Sequence, residues 1–313
     1  MTRRARAHER RTMSGNQVTA DHATGELVAP LRTAEGGFAM LALDQRESLR
    51  RMFPLVDGRE ADDSALRHFK TIATRTLSPF ASAVLLDRPY AVTDARPETI
   101  SPGCRLILAA DVLHQPPGEG VVGTSLDPLV TPDFVRQVGA DAIKLLLIWR
   151  PDGEAAARAE LVESFLDVAR DAGVASLVEA IARPADGEVW TSVAARHEGI
   201  LDAAREIAPL GGSIYKAEVP GYVPGDVSRV REHAERMTEL VPVPWVVLSN
   251  GVEAADFAAA LREACLGGAQ GFLAGRAVWA DTVAEPDTDT ALEVRAAERL
   301  RTLARIVAQV QGS

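Results

Sequence analysis

The run Ala142-Ile143-Lys144-Leu145-Leu146-Leu147-Ile148-Trp149 has the length and apolar content of a strand buried in a parallel sheet, yet it carries a lysine at its third position. Seven further short apolar runs flank it: Phe38 to Asp44, Ala83 to Asp87, Arg105 to Asp111, Ser176 to Ala180, Ser213 to Glu218, Trp245 to Ser249 and Gly271 to Ala274. Amphipathic stretches such as Glu154 to Asp171 and Ala254 to Leu266 separate them, each ending near glycine as helices do. Alternation of this kind reads as repeated βα units. Eight units at a spacing of roughly 30–40 residues predict an α/β protein with a single TIM (β/α)8 barrel over residues 32–313. The preceding residues, 1–31, are polar, Arg-rich at first and without periodicity, and are expected to form a disordered tail; Met13 is an alternative start.

An open doubly wound sheet shares the alternation. Against it, the one glycine-rich fingerprint, Gly118-Glu119-Gly120-Val121-Val122-Gly123, follows Pro116-Pro117 and not a strand, so it reads as a turn-rich loop and not a dinucleotide site. Composition narrows the partners. With 34 Lys plus Arg against 44 Asp plus Glu, the chain carries a net charge of -10 and repels nucleic acid and anionic membranes. No apolar run is long enough to span a bilayer. Cys104 and Cys265 are far apart and lack metal spacing, which suits free thiols in a reducing cytoplasm.

Barrel chemistry sits where strands end, and polar residues recur there: Asp44-Gln45-Arg46, Asp87, Asp111 and Glu179. Lys144 and Lys216, the latter in Ile214-Tyr215-Lys216-Ala217-Glu218, lie inside apolar strands. A buried lysine is costly unless paired or used. The bland reading is a pair of ion-paired barrel lysines. The functional one is a nucleophilic amine, Lys216, with Lys144 supplying charge beside it and Glu179 and Asp44 as the carboxylates that proton transfer requires. Glu218 shares the inward phase of Lys216 and either joins that site or partners a cation. After the last two strands come Ser249-Asn250-Gly251 and Gly275-Arg276, residue types that build an anion cradle from backbone N–H groups, a hydroxyl and a guanidinium. A serine cap with a surface arginine is the alternative. No His/Cys cluster of zinc type and no nucleophile elbow is present, so no metal and no cofactor is expected.

The ordered set Phe38 to Glu47, Leu77 to Ala83, Ile143-Lys144-Leu145-Leu146 with Trp149-Arg150, Tyr215 to Pro220 and Gly271 to Ala280 resembles the tagatose-bisphosphate and sulfofructosephosphate aldolase family. The resemblance covers nearly everything after the tail. It implies a metal-independent class I lyase in which Lys216 forms the Schiff base, Lys144 and Glu179 assist proton transfer, and Asp44 is the acid of strand one. Ser249, Gly251, Gly275 and Arg276 match positions that bind the anionic ends of substrate. The segments ending at Arg150 and Ser82 and that of strand eight look closer to the sulfosugar branch, implying cleavage of 6-deoxy-6-sulfofructose 1-phosphate, with tagatose 1,6-bisphosphate as the alternative. Neutral donors such as Gln45 and Asn250 with a single arginine would suit a sulfonate; further cations would favour a second phosphate. A cytoplasmic homo-oligomer acting on a small phosphorylated sugar is the expected setting. An isomerase without a covalent lysine and a non-catalytic sugar-phosphate sensor are the more distant readings.

Overall fold

The computed structural model describes residues 25–116 and 120–312. Its strands are β1 (Phe38–Ala42), β2 (Ala83–Asp87), β3 (Arg105–Ala109), β4 (Asp111–His114), β5 (Gly123–Leu126), β6 (Ala142–Trp149), β7 (Ala175–Ala182), β8 (Ile214–Ala217), β9 (Trp245–Val247) and β10 (Gly271–Ala274). Eight of these close into a parallel barrel in the order β1-β10-β9-β8-β7-β6-β3-β2, as the eight apolar runs predict. Helices return the chain between them. Asp63–Leu77 is capped by the Asp62 carboxylate, which accepts from Ala65 N at 3.0 Å, and Ala155–Ala172 ends on Gly173 in the left-handed region at φ 75°.

Strand alternation divides the core in two. Met40, Leu85, Ile107, Leu177, Ile214 and Leu273 fill the barrel interior, whereas Leu41, Val84, Ile143, Val178 and Phe272, one residue out of phase, pack outward with Phe69, Phe165 and Leu261 of the helices. The inward series then change character toward the strands' C-terminal ends. Met40 and Ala42 lead to Asp44, Leu85 to Asp87, Ile107 and Ala109 to Asp111, Ala142 to Lys144, Leu177 to Glu179 and Ile214 to Lys216, and all six of these polar residues are buried.

Two expectations change. Most of the expected tail lies outside the described residues, but residues 25–28 are helical, Ala29–Leu31 forms a 3-10 turn, and Val28 and Leu31 pack into the barrel's interior cluster. This segment is therefore part of the fold, closing the end of the barrel where the strands begin. After the third strand the chain adds a hairpin, β4 paired antiparallel with β5 and Asp111 opposite Leu126; of the glycine-rich run, residues 120–122 lie in its connecting loop, as expected, and Gly123 opens β5. Gly118 and Glu119 lie outside the described residues.

Candidate active site

Register brings the inward polar groups together. Leu146 of β6 stands beside Glu179 of β7, and Glu179 beside Lys216 of β8, so the carboxylate sits between the two lysine-bearing strands. Its Oε2 accepts from Lys216 Nζ at 2.9 Å and lies 3.1 Å from Lys144 Nζ. Lys144 Nζ also donates to Asp44 Oδ2 at 2.8 Å and to Asp111 Oδ2 at 3.1 Å. Lys144 is 0% exposed and Lys216 4%. Burial alone would discharge the Lys144 ammonium, but Asp111, Asp44 and Glu179 outweigh it and hold its pKa well above the usual lysine value. Asp44 is the converse: burial opposes its charge, yet Lys144, Lys216 and Arg46 pull its carboxyl far below the usual range.

A compositional fact gives these lysines more weight. Of the 34 Lys plus Arg residues only three are lysines, Lys70, Lys144 and Lys216, and each is buried. Every exposed cation is thus arginine, and lysine is kept where a compact point charge is needed. Lys70, which the strand-end reading missed, reaches from helix Asp63–Leu77 to ion-pair with Asp87 at the end of β2. The same carboxylate accepts from Tyr90 N at 3.1 Å and so fixes the turn after β2. The helix pattern contained the signal: Lys70 follows Leu66 by four residues and precedes Ala73 by three, on the buried face.

A cleft of about 680 Å³ opens above this cluster. Asp44, Gln45, Glu179, Lys216, Asn250 and Arg276 line it, while Lys144, Ser249, Gly251 and Gly275 lie outside its wall. The side-chain oxygen Gln45 Oε1 is buried without a hydrogen-bond partner. Arg276 donates to Asn250 Oδ1, so Asn250 orients a guanidinium at the cleft. Ser249 Oγ lies 3.5 Å from Ala277 N, in the turn that starts on Gly275. A Cβ on Gly275 would meet Ala42 O at 2.5 Å, so only glycine allows this close approach. Gly251, at φ +77°, instead faces Arg196, whose Nη2 would lie 2.7 Å from an added Cβ.

Glu218 does not join the lysine cluster. β8 ends at Ala217, and the Glu218 carboxylate accepts from Ala182 N at 2.9 Å and pairs with Arg196 at 3.2 Å. Five arginines line the cleft, Arg46, Arg51, Arg88, Arg183 and Arg276, where the sulfonate reading invoked one. Arg46 is held by Asp111 at 3.0 Å and Arg88 by Asp127 at 2.8 Å, pairings that depend on loop conformation and are not visible in linear sequence.

A closed α/β barrel whose mouth gathers buried lysines and carboxylates has the architecture in which enzymes carry their chemistry at the C-terminal ends of the strands. The family model described as "DeoC/LacD family aldolase" matches residues 38–281, and the chain belongs to that family. It is 28% identical over 281 residues to a tagatose 1,6-diphosphate aldolase of Listeria monocytogenes serotype 4a, covering 81% of this chain and 80% of the relative. It is 27% identical over 282 residues to tagatose 1,6-diphosphate aldolase 2 of Enterococcus faecalis, covering 81% and 82%. Among solved structures, fructose-bisphosphate aldolase from Plasmodium falciparum superposes with a TM-score of 0.67 at 15% identity, over 92% of this chain and 94% of that one. An archaeal fructose 1,6-bisphosphate aldolase gives 0.64 at 18%, over 91% and 99%. These two likenesses are of fold.

Proposed function

We propose that this aldolase works through a Schiff base on Lys216, without a metal, and cleaves a ketose 1,6-bisphosphate, with tagatose 1,6-bisphosphate the favoured substrate. The observation that carries the reading is Glu179 Oε2, within hydrogen-bonding distance of both Lys216 Nζ and Lys144 Nζ at the foot of the cleft. The neutral Lys216 amine adds to the C2 ketone, and Glu179 supplies the proton with which the carbinolamine oxygen leaves as water. As the C3–C4 bond breaks, its electron pair passes into the iminium, while Glu179 accepts the C4 hydroxyl proton. An aldehyde departs, the enamine takes at C3 the proton that Glu179 had accepted, and water adds to the resulting iminium, its proton returning to Glu179 as dihydroxyacetone phosphate and the free amine separate.

Lys144 stays an ammonium in this scheme, steadying the carboxylates and the developing oxyanion, and Asp44 orients it. Its place between Asp44, Asp111 and Glu179 supports the metal-free reading, because the chain itself supplies the cation that three carboxylates demand. Activity is accordingly expected to survive a chelator. Gln45, Asn250 and Arg276 on the cleft wall, with Ser249, Gly251 and Gly275 behind it, form the substrate-binding set.

The names of the relatives and the five cleft arginines favour tagatose 1,6-bisphosphate over 6-deoxy-6-sulfofructose 1-phosphate, the substrate that the local wording of the strands suggests. A second phosphate carries nearly two charges and a sulfonate one, so added guanidinium groups reward the phosphate. Parallel measurement of kcat/KM on the two substrates tests the choice. A clear preference for tagatose 1,6-bisphosphate is expected; faster cleavage of the sulfonate would reverse the assignment, and binding without cleavage of either would leave a sensor. The net charge of -10 disfavours nucleic acid and anionic membranes as partners, the free buried thiols of Cys104 and Cys265 suit a reducing cytoplasm, and a homo-oligomer is the assembly we propose.

A further inference from the structure

We propose that Asp111 is the positioning residue of this site, its one carboxylate holding the Lys144 ammonium in line with Glu179 and aiming the Arg46 guanidinium along the cleft wall. The inference rests on the Schiff-base reading above. Asp111 has a side-chain exposure of 0%, and both its oxygens are used. Oδ2 accepts from Lys144 Nζ at 3.1 Å and from Leu146 N at 3.0 Å, and Oδ1 accepts from Arg46 Nη2 at 3.0 Å. The backbone oxygen of the same residue accepts from Arg46 Nη1 at 2.8 Å, so the guanidinium is gripped at both tips.

The topology explains why an aspartate stands here. β3 follows β6 only up to Ala109, which stands opposite Lys144, and Ala110 N still donates to Lys144 O at 2.8 Å. The chain then turns away into the β4–β5 hairpin, and the next ladder position on that edge of β6, Leu146 N, would lose its partner. The Asp111 side chain replaces the missing carbonyl, which locks the carboxylate to the strand that carries Lys144. Buried polar groups must be paired, and this pairing places a fixed negative charge where Lys144 needs it.

The consequence for the chemistry concerns the shared oxygen. Lys144 and Lys216 both address Glu179 Oε2, at 3.1 and 2.9 Å. Asp111 and Asp44 share the Lys144 ammonium with that oxygen, so its charge does not rest on Glu179 alone and the carboxylate still exchanges a proton with Lys216 and substrate. Without Asp111 the ammonium would rest more heavily on Glu179, and Arg46 would lose its direction along the cleft wall. One residue thus governs turnover through Lys144 and substrate affinity through Arg46.

Asp111→Asn preserves shape and the acceptor for Leu146 N while removing charge. The expected result is a fall in kcat of about 10²-fold together with a rise in KM for the bisphosphate of about tenfold. Arg46→Gln alone should reproduce the rise in KM with the smaller loss of kcat, and the double variant should show no further rise in KM, because the two changes remove one interaction. Should Asp111→Asn fail to fold, Asp111→Glu, which keeps the charge but displaces it, carries the same test. A folded variant with kcat and KM both within about twofold of the parent, or additive effects of the two substitutions on KM, would overturn the proposal. Borohydride trapping of the unsubstituted enzyme with dihydroxyacetone phosphate separates the two readings: absence of an adduct on Lys216 refutes the Schiff base, whereas a normal adduct with a neutral Asp111→Asn refutes only the positioning role.

Discussion

Leu177 and Glu179 are two residues apart on β7, both point into the barrel, and both are nearly inaccessible to solvent. The first belongs to an apolar plug with Met40, Ile107 and Ile214; the second lies in a network of ions with Lys144 and Lys216. Geometry is shared and chemistry is not. The difference teaches that the barrel's interior is divided along its axis, with dispersion and hydrophobic burial stabilising the end where the strands begin and paired charges filling the other.

Substitutions at either end should separate activity from stability. The largest effect is expected for Lys216→Met, which should lower kcat by about 10³-fold or more while the melting temperature changes little, because Lys144 still balances Glu179. Retained turnover in this variant would remove the nucleophile from the account. Next comes Lys144→Met. It leaves Asp44, Asp111 and Glu179 without their buried cation, so a loss of about 3–5 kcal/mol in urea unfolding is expected along with most activity. Unchanged stability would mean that the charges at this end do not hold one another. At the apolar end, Leu177→Ala should cost about 2–5 kcal/mol through its cavity, with kcat per folded molecule preserved. A large loss of kcat in folded protein would show that the two ends are coupled.

The smallest expected effect concerns His197, a polar group buried near the mouth but outside the ion network. Its Nδ1 accepts from Gly221 N at 3.2 Å, in the turn after β8, and its ring stands 5.4 Å from that of His233. Burial, then His233 and Arg196, lower its pKa from 6.5 to about 4. Because the folded value lies below the unfolded one, the unfolded chain binds more protons between those values, and stability should fall as pH drops from 6.5 to about 4. His197→Asn keeps an acceptor without the titration. It should flatten the dependence of melting temperature on pH in that window, and parallel profiles for the two proteins would contradict the assignment.

The fold was readable because strand runs and helical stretches have different periods, and eight repeats leave little choice of architecture. Lys144, Lys216, Glu179 and Asp44 were readable because charge inside or at the end of an apolar strand violates the local pattern. What remained hidden depends on loops and long-range register. Asp111 was visible only as a polar strand end, since its contacts follow from where β3 leaves β6. Glu218 keeps the phase of Lys216 but lies beyond the end of β8, where alternation no longer dictates direction. Val28 and Leu31 are just two apolar residues in a polar segment, too few to announce that they seal a barrel.

The central claim is that the amine of Lys216 bonds covalently to substrate, and the scarcity of lysine makes the decisive measurement clean: the chain has three lysines. Borohydride reduction of the enzyme with dihydroxyacetone phosphate, followed by peptide mass mapping, should place one adduct on the peptide containing Tyr215-Lys216-Ala217 and leave Lys70 and Lys144 unmodified. An unmodified Lys216 in enzyme that cleaves its substrate, or an adduct on Lys144 in its place, would contradict the account.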